Sequence, residues 1–340
     1  MKKKLRVAQI GIEHDHGSST LEAMLNLTDD FEVVAYAEPG FVAMKEYNDH
    51  QKRQLERVEK KCSVEEVLAM TDLDAIVVET HDTQLSKYAQ MVADKGIHLH
   101  VDKPCATDFQ SMKRLIDTVK EKNIVFHTGY MYRFNPAVNK AREMMQSGEL
   151  GEIFSVEAHM DCEHVPSKRE WLNGVPGGMM MFLGCHLVDL VKMFAGNTED
   201  VTCLSTSTHL EDVHSKDYGF ALFKYPNGLS FAKTCAREIG GFDRRQLVVT
   251  GSKGTVEIKP LERYTNLGMQ TYMSYVTEEM TKGRWYDCKL HEEFPGYDRY
   301  MPMMHNFAQK IRGEITDMFT PDYELELYKM VAKACGIFEE

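Results

Sequence analysis

By polarity alone, the first 125 residues alternate between short apolar runs and longer segments of helical spacing. The runs at 5–10, 31–37, 73–79, 97–103 and 124–128 read as buried strands, since apolar residues follow one another with few polar breaks. Between them, 18–27, 63–70, 83–95 and 108–122 read as helices, and the charged stretch 44–61 as a solvated helix or two short ones. Ser63, with Glu66 three residues on, makes a capping box that marks a helix start. Strands and helices in turn predict βαβ units and a parallel sheet. Beyond Gly151 the period shortens to two, at 153–160, 202–208, 219–224, 229–234 and 246–249. Asn227-Gly228 signals a hairpin, and Gly251-Ser252-Lys253-Gly254 a turn before a strand at 255–258. Helices are expected at 185–194 and 323–339. The pattern predicts an α/β domain over 1–125, then an α+β domain over 126–340 with a mainly antiparallel sheet. The closing helix is a candidate to pack back on the first domain.

Composition narrows the function classes. The 340 residues are 43% hydrophobic and 27% charged, enough for two cores, and the net charge of −12 argues against nucleic-acid or anionic-membrane partners. No apolar run reaches the length of a membrane span, and the opening Met-Lys-Lys-Lys-Leu-Arg lacks the apolar region of a signal peptide. The eight cysteines (62, 105, 162, 185, 203, 235, 288 and 335) contain no Cys-x-x-Cys pair. They read as reduced thiols of a cytoplasmic protein.

Three places carry candidate chemistry. Ile97-His98-Leu99-His100-Val101-Asp102-Lys103-Pro104 reads as a strand ending at a lysine that Pro104 pushes out of the helical region. Ligands of open α/β sheets bind at such strand ends. After the first strand comes Gly11-Ile12-Glu13-His14-Asp15-His16-Gly17. A dinucleotide turn has Gly-x-Gly-x-x-Gly here. Only Gly11 is in register, Glu13 and His16 hold the other two places, and Gly17 falls one late. Two histidines and two acids in four residues also resemble part of a metal site, but no second cluster in the sequence completes a ligand set, and no metal is assigned. Glu38 ends the second strand, where an acid accepts from ribose hydroxyls and disfavours a 2′-phosphate, so NAD is expected over NADP.

Further blocks follow in order: Asp72-Leu73-Asp74-Ala75-Ile76-Val77-Val78, Asp102-Lys103-Pro104, Gly129-Tyr130-Met131-Tyr132-Arg133-Phe134-Asn135-Pro136, and Ser147-Gly148-Glu149-Leu150-Gly151-Glu152-Ile153. Then come Gly177-Gly178, Gly184-Cys185-His186-Leu187-Val188-Asp189 and Gly251-Ser252-Lys253-Gly254-Thr255. Together they resemble the glucose–fructose oxidoreductase/inositol dehydrogenase family (Gfo/Idh/MocA). The resemblance implies an N-terminal Rossmann domain with a parallel sheet and a C-terminal domain with an open-faced, mainly antiparallel sheet. It implies reversible hydride transfer between a nicotinamide and a hydroxyl-bearing carbon of a sugar, glycoside or cyclitol.

The resemblance also implies roles. Lys103 matches the lysine that contacts nicotinamide ribose and the reacting hydroxyl, and His186 the histidine that takes the hydroxyl proton. Cofactor contacts fall to Gly11, Ile12, Glu13, His14, His16 and Glu38, and to Thr80, His81, Asp102 and Lys103. Substrate contacts fall to Tyr132, Arg133, Trp171, Phe182 and Asp189. A homodimer or homotetramer is implied through the open sheet, where Leu204, Phe220, Leu222 and Phe231 alternate along strands.

Two departures stand out. Phe182 sits four residues before His186, where the family commonly has an aspartate that orients the base. Thr80-His81-Asp82-Thr83-Gln84-Leu85 replaces the family's Thr-Pro-Asn-x-x-His. His81 or Asp82 is a candidate replacement proton relay. Met179-Met180-Met181 is either core filling or an apolar pocket wall. The alternatives to a dehydrogenase are glycoside cleavage assisted by bound NAD, and a non-catalytic nucleotide or sugar binder.

Overall fold

The computed structural model describes residues 3–40, 47–266, 268–282 and 289–339. The chain divides into two units, Met1–Tyr130 with Tyr300–Leu325, and Met131–Arg299 with Glu326–Glu340.

The first unit alternates as the apolar runs predict. In chain order come β1 (Leu5–Ile10), α1 (Gly17–Asn26), β2 (Phe31–Ala37), α2 (Asp49–Glu56), β3 (Lys60–Cys62) and α3 (Val64–Ala69). There follow β4 (Ala75–Val78), α4 (Leu85–Asp94), β5 (His98–Val101), α5 (Phe109–Lys122) and β6 (Phe126–Thr128). The six strands form one sheet in the order β3-β2-β1-β4-β5-β6, every pair parallel. This is the doubly wound order, whose direction of winding reverses between β1 and β4. The central strands are apolar because helices cover both faces: every residue of β4 is buried. Ser63 and Glu66 close the capping box at α3. The charged 44–61 stretch is shorter as a helix than its charge suggests, because β3 takes its end. Residues 44–46 of that stretch lie outside the described residues, as does Cys288.

The second unit begins with a 3-10 turn, Met131–Phe134. In chain order it adds α6 (Pro136–Gln146), β7 (Ile153–His159), α7 (Pro166–Trp171), α8 (Cys185–Ala195), β8 (Val201–Cys203), β9 (Tyr218–Tyr225), β10 (Gly228–Cys235) and β11 (Gln246–Gly251). Then come β12 (Gly254–Ile258), β13 (Arg263–Thr265), β14 (Gly268–Thr277), α9 (Glu278–Thr281) and β15 (Leu290–Tyr297). The sheet has nine strands, in the order β13-β14-β12-β11-β7-β10-β9-β8, with β15 beside β14. All its pairs are antiparallel except β10 with β7. Asn227-Gly228 turns the β9–β10 hairpin, which pairs Tyr225 with Gly228. The 202–208 strand is cut short: β8 ends at Cys203, and only a bridge from Thr206 to Tyr218 continues it.

Helix α8 packs on β7 and β10. All ten residues Cys185 to Phe194 are buried, as befits a core helix. On the opposite face of the sheet, half-exposed Phe231 stands across from Leu222 and stacks on Phe220 at 5.5 Å.

Two helices close the chain, α10 (Met301–Ile311) and α11 (Pro321–Cys335). Helix α10 packs on α1 within the first unit. Arg312 Nη1 donates to Asp30 Oδ1 at 2.7 Å and Nη2 to the Asp30 carbonyl at 3.1 Å, while His305 Nδ1 meets Asp30 Oδ2 at 2.5 Å. Burial raises the Asp30 carboxyl, but His305 and Arg312 outweigh it and hold it below its ordinary value. A depressed carboxyl adds stability above its unfolded value and loses it as pH falls through the folded value. Arg312→Ala should therefore lower the unfolding free energy by roughly 2 kcal/mol at neutral pH, between the exposed and buried limits for ion pairs. Urea midpoints should show the gap at pH 7 and a smaller one near pH 3; an equal gap at both would remove the pair from the account.

Candidate active site

The first unit gathers its ionisable residues at the carboxyl edge of the sheet, where the winding reverses. β1 delivers the Gly11–Gly17 turn, β4 delivers Glu79 to Asp82, and β5 delivers Asp102 and Lys103. Gly11 has φ +83°, and a Cβ there would lie 2.9 Å from the Glu79 carbonyl. Gly17, one place late by sequence, takes the close-packing role: its Cβ would come within 3.0 Å of Ile12 Cα and 3.1 Å of Glu79 Cβ. Ile12 is buried. Helix α1 has His16 at its N-cap, with no side-chain cap and no acid in its first turn, so its own first turn supplies no anion to its positive end. The Glu13 carboxylate accepts from the His81 N–H at 3.1 Å. Glu38 ends β2 and accepts from Tyr36, and from Tyr47 at 2.6 Å, both on Oε2. A glycine turn, an uncapped helix start and an acid after β2 fit a dinucleotide. Glu13 is the departure, and its charge is turned to the β4 loop.

Beneath the turn lies a buried cluster. His14 Nδ1 is 3.3 Å from Asp102 Oδ2 and 3.7 Å from Glu79 Oε2, while its Nε2 is 3.5 Å from Asp82 Oδ1. His16 Nδ1 donates to both Asp102 oxygens, at 3.1 and 3.2 Å. The Lys103 N–H donates to Asp102 Oδ1 at 2.6 Å, which ties the catalytic candidate to the cluster. Lys103 is 2% exposed, and its peptide to Pro104 is cis. Burial pulls the His14 imidazole down, but Asp102 and Asp82 outweigh it and push it up to about 10. Burial raises the Asp102 carboxyl, yet His14 and His16 hold it well below the usual range. Glu79 goes the other way, raised by burial and by Asp102. His100 is driven down to about 4 by burial and meets His127 at 2.7 Å between Nδ1 atoms.

Sequence reading missed how this cluster is completed. The two histidines lack a third donor nearby in the chain, and Asp102 supplies it from 86 residues away. Glu79 and His100 were also missed. The available signals were a carboxylate closing an otherwise apolar strand and a histidine inside another. Thr80 is buried beside Gly11. His81 is taken up locally, its Nδ1 2.9 Å from Thr83 Oγ1, whereas Asp82 faces His14.

The second unit holds the remaining candidates. His186 is 1% exposed on α8, with the Tyr132 ring edge-on at 5.1 Å. Tyr132 donates to Glu262, which also binds Arg245 and Arg299. Burial and then Glu262 raise the Tyr132 phenol well above its ordinary value. Arg133 forks onto Asp189, Nε to Oδ2 at 2.9 Å and Nη2 to Oδ1 at 2.7 Å, with both side chains buried. This pair clamps the 3-10 turn to α8. Phe182 lies in a π-helical turn, Met180–Gly184, with the Trp171 ring at 5.3 Å and Lys168 Nζ at 4.7 Å. Met179, Met180 and Met181 are buried, and Met180 fills the space beside Gly184 and Gly219.

The chain matches two families: "Oxidoreductase family, NAD-binding Rossmann fold" over residues 5–130, and "GFO/IDH/MocA C-terminal domain" over residues 138–257. It is 22% identical over 286 residues to scyllo-inositol 2-dehydrogenase (NAD(+)) of Bacillus subtilis, covering 80% of this chain and 79% of that one. It is 27% identical over 149 residues to D-xylose 1-dehydrogenase (NADP(+)) 2 of Haloferax volcanii, covering 43% of this chain and 45% of that one, so it spans about half of that relative. A levoglucosan dehydrogenase solved with NADH and levoglucosan has a TM-score of 0.81 at 15% identity, covering 98% of this chain and 97% of that one. A 3-ketoreductase of Actinomadura kijaniata, solved with NADP and TDP-benzene, has a TM-score of 0.76 at 19% identity, covering 97% and 96%.

The Arg133–Asp189 pair yields a direct test. Asp189→Asn should cost about 3 kcal/mol by leaving a buried guanidinium without its counter-charge, and Arg133→Met with Asp189→Leu should recover much of it. Chemical denaturation measures both; an Asp189→Asn protein of unchanged stability would show that the pair is no strut.

Proposed function

The chain belongs to the Gfo/Idh/MocA family, and from that premise we propose that it is an oxidoreductase moving a hydride between a nicotinamide dinucleotide and a hydroxyl-bearing carbon of a sugar, glycoside or cyclitol. The observation that carries this reading is the carboxyl edge of the first sheet, where the Gly11 turn, the uncapped start of α1, Glu38 and Lys103 meet the demands of a dinucleotide and a carbinol. The nicotinamide, when bound, accepts or returns the hydride. The amino end of α1 attracts the pyrophosphate. Glu38 accepts from the adenosine ribose through Oε1, since its two phenol donors converge on Oε2. A carboxylate at that place repels a 2′-phosphate, so NAD is preferred to NADP.

Lys103 and His186 divide the work on the hydroxyl. The lysine ammonium stabilises negative charge on the oxygen as the hydride leaves. The imidazole takes the hydroxyl proton. Asp102 holds the Lys103 backbone, and the Tyr132 edge fixes one side of the His186 ring. Phe182 and Trp171 give the second unit an apolar wall, which suits the carbon-rich face of a sugar ring or an aglycone. A second copy of the chain is the expected cover for the outer face of the nine-stranded sheet, with Phe220, Leu222 and Phe231 and the exposed Leu204 and Leu229.

Titration with NADH and NADPH should show tighter binding of NADH, and Glu38→Ser should narrow the gap. Equal or tighter NADPH binding would overturn the preference, and binding of neither would overturn the reading. With a carbinol found by screening, Lys103→Ala should lower turnover roughly a hundredfold or more in a folded protein. Light scattering at micromolar concentration should give at least a dimer; a monomer would contradict the covered sheet.

A further inference from the structure

The buried cluster under the Gly11 turn has a donor set to which the proposed hydride transfer gives no part in binding a metal. We infer that His14, His16 and Asp102 form a binding site for one divalent first-row transition-metal ion, zinc, manganese, iron or cobalt. One ligand atom from each lies within 4.8 Å of the others. The His14 Nδ1–Asp102 Oδ2 and His16 Nδ1–Asp102 Oδ2 separations are 3.3 and 3.1 Å. Metal bonds of about 2.0–2.2 Å place neighbouring ligand atoms roughly 3.0–3.5 Å apart. Two imidazoles with a carboxylate suit this group of metals and disfavour calcium and magnesium, which take all-oxygen shells.

A second observation points to a ligand. Glu79 is 0% exposed, and neither carboxylate oxygen has a hydrogen bond of ordinary length, although Thr20 and Asp102 stand near. His14 Nε2 and Asp82 Oδ1 are likewise buried and without one, 3.5 Å apart. A buried carboxylate is stable only when paired, hydrogen-bonded or bound to a metal. Glu79, Asp82 and Asp102 bring three buried carboxyl groups to within 3.7 Å of the His14 ring nitrogens. The His16 N–H donates to His14 Nδ1 at 3.2 Å, so an ion taken up on that nitrogen displaces this bond. Asp82, at Nε2, then orients His14 from the ring nitrogen away from the ion, as carboxylates commonly orient ligating imidazoles. His16, 14% exposed in its side chain, is the edge through which an ion enters.

The alternative occupant of the same space is protons, carried by His14 and Glu79. The site stands on unit-one residues alone and is read without any dinucleotide, so its test is separate from that of the redox reading. Protein stripped with a chelator is titrated with Co²⁺, Zn²⁺ or Mn²⁺, and bound metal is counted by mass spectrometry after gel filtration. Wild-type protein should bind one ion per chain, show ligand-field bands with Co²⁺, and melt at a higher temperature with the ion than without. His16→Gln and Asp102→Asn should bind at least about tenfold more weakly, while His209→Ala, an exposed histidine of the other unit, should bind as wild type. Folded wild-type protein that takes up none of the three ions at micromolar concentration, with no change in melting temperature, would assign the cluster to protons and overturn the site. Equal binding by the two ligand variants would overturn it as well.

Discussion

Ionisable side chains buried at the carboxyl edge of a parallel sheet have to be neutralised by one another, by protons or by a ligand. That constraint organises the first unit. The edge between β1 and β4 is where strand order reverses, so the loops diverge and leave a place for ligands. Here the loops bring imidazoles and carboxylates rather than the small residues of an open glycine turn. Asp102 is the centre of this arrangement, since it binds both histidines and the backbone of Lys103. Any ligand at the edge shares its electrostatic surroundings with that carboxylate.

The second unit applies the same rule differently. Helix α8 is buried all round, so each polar side chain on it needs a partner. Asp189 has Arg133, Lys192 has Asn197, and His186 lies against the Tyr132 ring. The Glu262 cluster with Tyr132, Arg245 and Arg299 holds the Tyr132 phenol in place. The histidine that the family resemblance singles out therefore rests against a ring that is itself held by a buried ion-pair network, as a residue that must hold one orientation requires.

What could be read from the chain was local. The apolar runs located β1 and β2, the Ser63–Glu66 pair located α3, and Asn227-Gly228 located the hairpin. Helix α6 was passed over although Asn135 caps it and Pro136 opens it, a start signal that lay unread inside a motif noted for another reason. Strands β13 and β15 carry exposed and polar residues on both faces, so they show little alternation. The site was legible where one loop carries it, as at Gly11 and Glu38. It was not legible where distant segments meet: Asp102 with the histidines, and Arg133 with Asp189 across 56 residues. Long-range pairing is set by sheet order, which periodicity does not report.

The central claim is that the carboxyl edge of the first sheet holds a nicotinamide dinucleotide despite Glu13 in the glycine turn. Native mass spectrometry of the purified protein incubated with NADH measures it most directly. The account predicts chains that carry one dinucleotide each, and a Glu38→Ala protein that carries less under the same conditions. Bare chains at every NADH concentration, with the protein folded, would contradict it.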